Sequence, residues 1–60
     1  MKQYHKDANI DFAVSSLISH QALFNLGTDK QNIDALRSVH NLSYQQAKEV
    51  LKILKKEWEE

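Results

Sequence analysis

The chain has no cysteine and no proline, and Gly27 is its only glycine. Without cysteine, disulfides and thiolate-held metals are excluded, and the composition fits a reducing compartment. Without proline and with a single glycine, almost no position forbids helix. Element boundaries must therefore be set by capping chemistry. An excess of either charge is also missing. Lys2, Lys6 and Lys30 face Asp7, Asp11 and Asp29 in the first half; Arg37, Lys48, Lys52, Lys55 and Lys56 face Asp34, Glu49, Glu57, Glu59 and Glu60 in the second. A formal net charge of zero argues against a surface coated for non-specific polyanion binding, so any electrostatic message must be local. No apolar run approaches the roughly 20 residues of a membrane span. Met1 to Asp7 leads into polar residues rather than the apolar stretch of a signal peptide. The expectation is a cytoplasmic protein with no membrane partner.

Sixty residues make one small domain, and a chain of this size buries only about 60% of the surface its unfolded form exposes. Domains this small usually need a disulfide, a metal or a partner chain. With the first two unsupported, oligomerisation is the expected staple, and a homodimer its simplest form.

Hydrophobic spacing predicts an all-α fold: a compact three-helix bundle over residues 9–60 with short loops, preceded by a flexible, frayed N-terminal arm over residues 1–8. The first helix is expected over about residues 10–25, capped by Asn9 or Asp11. Ile10, Ala13, Val14, Leu17, Ile18 and Phe24 share one of its faces, and Gly27 offers a left-handed end. The second is expected over residues 28–40. Thr28 and Gln31 form a capping box, Asp29 suits the helix dipole, and Ile33, Leu36, Val39 and His40 form the inward stripe beside Ala35. Asn41 tolerates the left-handed conformation that ends it. The third is expected over residues 43–58, with a second capping box from Ser43 and Gln46 and a hydrophobic staple between Leu42 and Ala47. Tyr44, Ala47, Val50, Leu51, Leu54 and Trp58 make its apolar face.

Some apolar residues do not fit these stripes. Phe12, Leu23 and Leu26 fall on the far side of the first helix, and Ile53 lies at the edge of the third helix's apolar face. They are the candidate contacts for a protein partner or a second copy. Opposite the third helix's apolar face lie Lys48, Lys52, Lys55 and Lys56, joined by Gln45, where a polyanion or an acidic protein would relieve their mutual repulsion. Glu59 and Glu60 offer pairing to the last two lysines.

Residues Ile33 to Val50 resemble a helix-turn-helix, with Leu36, Leu42, Ala47 and Val50 at its apolar positions and Asn41 at the turn. Arg37 stands where a small residue is usual, and Asn41 where glycine is usual. The resemblance implies that Ser43, Tyr44, Gln45, Gln46 and Lys48 begin a recognition helix in the major groove of DNA, with Lys52, Lys55 and Lys56 near phosphates.

Catalysis and metal binding are poorly supported. His5, His20 and His40 lack helical spacing to one another, and no acidic ligands are arrayed around them. Ser15, Ser16 and Ser19 near His20 have nothing to supply an oxyanion hole. No catalytic, cofactor or metal site is therefore expected, and the sequence is not read as an enzyme. The leading reading is a small regulatory or interaction protein that binds a protein partner through exposed helix faces. A helix-turn-helix DNA-binding regulator is the alternative.

Overall fold

A computed structural model describes residues 3–59. Among them there is no strand, and the architecture is all-α with four helices: α1 (Ala8–Leu17), α2 (Gln21–Phe24), α3 (Asp29–Val39) and α4 (Tyr44–Glu59). The three-helix expectation is corrected at one place, where the first helix breaks after Leu17 and resumes for a single turn as α2.

The break has a tertiary cause. The Trp58 indole N–H donates to the Ile18 carbonyl at 2.8 Å, so a carbonyl freed by the end of α1 is satisfied from α4 rather than by the next helical turn. The Phe24 and Trp58 rings then meet at 5.5 Å between centroids, and the Asn32 amide donates to the Phe24 carbonyl at 3.0 Å. Gly27 does not take the left-handed conformation expected of it. Its missing side chain instead leaves room for Gln31, whose Oε1 would lie 2.8 Å from a Cβ placed there.

Local capping sets the other boundaries. Asp7, not Asn9 or Asp11, caps α1 by accepting from the amides of Asn9 and Ile10. Asp11 turns back to the arm and accepts the Tyr4 amide at 2.5 Å and the His5 amide at 3.2 Å. The segment expected to be an arm thus includes the start of α1 and hydrogen bonds at Tyr4, His5 and Asp7; its residues 1 and 2 lie outside the described residues. Both capping boxes form. The Thr28 amide donates to Gln31 at 2.9 Å and the Gln31 amide to Thr28 at 3.2 Å; Ser43 and Gln46 do the same at 3.0 and 3.1 Å. Asn41 ends α3 with a positive φ of 53°.

α4 is the centre of the fold and packs against both α1 and α3. Ala47, Val50, Leu51 and Leu54 meet Ile10, Ala13 and Val14 of α1, Ile33 and Leu36 of α3, and Leu42 of the turn in one buried cluster. Leu17, Ile18, Phe24, Ile53 and Trp58 are partly buried against it. Two stripe members depart from expectation: Val39 is 76% exposed and Tyr44 51% exposed. They are the last residue of α3 and the first of α4, where the helices run past the neighbours that would cover them. Among the described residues no helix is long and apolar enough to cross a membrane.

Candidate protein-interaction face

The candidate surface lies beside the break after α1. Residues of α2 and α3, with Leu17 at the end of α1, line a recess about 220 Å³ in volume. Leu17, Phe24, Ala35 and Leu36 wall it together with Leu23 and Val39, and Asn32 and His40 are its polar lining residues. The Asn32 amide already serves the Phe24 carbonyl, so the recess is almost wholly apolar in what it offers. His40 links it to α1, where its ring meets Phe12 edge-on with centroids 6.4 Å apart. One continuous face therefore carries Phe12, His40, Val39, the recess and Leu23.

Large apolar side chains stand out from that face. Phe12 is 66% exposed and Leu23 61%, on the outward sides of α1 and α2 where their helical spacing put them. Leu26, in the link to α3, is the most exposed of the large apolar side chains among the described residues at 86%, but it does not line the recess. Ile53 differs from the others: it is partly buried against the core. Val39 was missed as a surface residue because its spacing assigns it to the core stripe. It joins Phe12 and Leu23 only once the length of α3 is known.

The basic side of α4 is a separate surface. Lys48, Lys52, Lys55 and Lys56 are all exposed, as are Ser43 and Gln45. Lys55 is held by Asp29 at 2.6 Å; of the two glutamates expected to offer pairing, Glu60 lies outside the described residues. Both partners are substantially exposed, so the pair adds little stability. Ser43 and Gln46 are engaged in the cap, and the Gln46 amide also donates to Asp7 at 3.3 Å. That bond, followed by the one from the Asn9 amide, holds the Asp7 carboxyl below its ordinary range. Tyr44 carries the cluster that spacing alone did not announce. The Arg37 guanidinium lies 5.9 Å and the Lys48 ammonium 5.6 Å from its ring centroid, within reach of cation–π attraction.

No group of three potential metal-ligating side chains gathers anywhere among the described residues. A second, shallower recess near Gln21, Asn25, Lys55, Trp58 and Glu59 brings together none of the candidate serines or histidines. No family model, curated protein or solved structure matches the chain.

Proposed function

We propose that this chain is a non-enzymatic interaction protein that binds a protein partner through the face formed by Phe12, Leu23, Val39 and the recess between α2 and α3. The observation that carries the reading is the concentration of large, exposed apolar side chains around an apolar recess. A chain this small has few apolar residues to spare from its core, and contiguous exposed apolar patches mark interaction sites. Covering each of these side chains stabilises a complex by on the order of 1–2 kcal/mol. The test is capture from the source cell's extract with the wild type and with the Leu23→Glu variant side by side. The reading expects proteins, or further copies of the chain, held by the wild type and released by the variant. Equal capture by both overturns it.

One observation favours a second reading, a DNA-binding regulator. Arg37 and Lys48 flank the exposed Tyr44, and α3 and α4 are joined by a four-residue turn, His40–Ser43, as in a helix-turn-helix. Neither cation has a carboxylate partner in the described residues. The outward face of α4 continues the basic surface through Lys52 and Lys56, with Gln45 available to a base edge. Binding to mixed duplex DNA across a salt series tests this reading. Three or four phosphate contacts give a slope of log K against log salt of about −3; no binding at low salt removes the DNA reading.

A further inference from the structure

We infer that the occupant of the Phe12–Leu23–Val39 face is a second copy of this chain, related by a two-fold axis. The inference rests on the interaction reading above and names the partner.

Three observations point to self-pairing. The first is charge. From Phe12 to Thr28 there are seventeen consecutive residues without Asp, Glu, Lys or Arg, in a chain of which 27% is charged. The residues that α3 and its C-cap add to the recess, Asn32, Ala35, Leu36, Val39 and His40, bring no carboxylate, ammonium or guanidinium group. Two copies of a face without fixed charge meet without like-charge repulsion, whereas a partner selected by charge would find no counter-charge there.

The second is shape. A two-fold interface uses the same patch on both subunits, so that patch must contain both what protrudes and what receives it. This face does: Phe12 and Val39 project beside a recess walled by Leu17, Phe24 and Leu36. At about 220 Å³ the recess is smaller than the roughly 300–1,000 Å³ typical of small-molecule sites, and its scale suits a side chain.

The third is area. A stable interface takes roughly 800 Å² from each partner, under a fifth of this chain's 4413 Å² surface. Phe12, Leu23 and Val39, each more than 60% exposed, and the recess beside them are the part of that surface such an interface would cover, in a chain with no cysteine to cross-link it.

Sedimentation equilibrium of the full chain, from low micromolar to submillimolar concentration, tests the inference. The expected result is a mass of twice 7.0 kDa at the upper end. Phe12→Glu and Val39→Glu should each weaken the dimer by roughly tenfold or more, and their helical circular dichroism should match the wild type because both side chains are exposed. Lys52→Glu, on the basic side of α4, serves as the control and should leave the dimer intact. A monomer at every concentration overturns the inference, as does a dimer dissociated by Lys52→Glu but by neither folded face variant. Neither result overturns the interaction reading, which is decided separately by the capture experiment with Leu23→Glu.

Discussion

Asn32 is a polar side chain in an otherwise apolar interior, 8% exposed, and its role is to hold α2. A carbonyl at the end of a one-turn helix has no intrahelical donor, and the Asn32 amide reaches the Phe24 carbonyl at 3.0 Å. Asn32→Ala should therefore cost about 1–3 kcal/mol, the range for stranding a buried polar group. Urea denaturation measures the loss; an unchanged midpoint would show that the bond does not hold α2. Nothing in the sequence marks Asn32 for this role, because the need for it arises from where α2 stops. Asp7 gives a second prediction at this scale. Its carboxyl is held below the ordinary range, first by the Gln46 amide and then by the Asn9 amide. A group with a depressed folded pKa binds its proton less tightly than in the unfolded chain. Its contribution is fully present above the ordinary carboxyl value and is lost as pH falls through that value towards the lower folded one. Thermal midpoints measured down through pH 4 should fall for the wild type more steeply than for Asp7→Asn.

At the scale of elements, what could be read in the sequence was local and what could not was distant. Thr28 with Gln31 and Ser43 with Gln46 form their capping boxes because every atom involved lies within four residues. Asn41 takes its left-handed conformation for the same kind of reason. The break after Leu17 has no breaker residue to announce it, since its partner is Trp58, forty positions away. Val39 and Tyr44 show the other limit: helical spacing gives the direction a side chain points, not whether a neighbouring helix extends far enough to cover it. The candidate face was accordingly half legible. Phe12 and Leu23 stood out from their stripe, whereas Val39 and the recess depend on the break. Trp58→Phe separates the two contributions at that break. It keeps a ring against Phe24 but removes the donor to Ile18, and the expected loss is about 1 kcal/mol, read as a lowered thermal midpoint. A loss within measurement error would assign the break to ring packing alone.

At the scale of the molecule, burial and assembly oppose each other. The fully buried large side chains are few, Leu36, Leu54, Val14 and Val50, while Phe12, Leu23, Leu26 and Val39 spend most of their surface in water. A domain of this size has little stability in reserve, so covering part of that surface changes the folding equilibrium itself. Partner binding stabilises the folded state in proportion to the logarithm of free partner concentration, by about 2.7 kcal/mol at a hundred times the dissociation constant. If the partner is the chain itself, its own concentration sets the effect. The thermal midpoint should then rise as the protein is concentrated, whereas the midpoint of a monomer that folds alone is independent of concentration. Val39→Glu supplies the comparison. The side chain is 76% exposed, so in dilute solution the variant should lie within about 0.5 kcal/mol of the wild type. On concentration the two melting curves should separate, the wild type moving up and the variant staying in place. Parallel behaviour at all concentrations would mean that this face contributes nothing to stability through self-pairing, and the small core would have to account for the fold unaided.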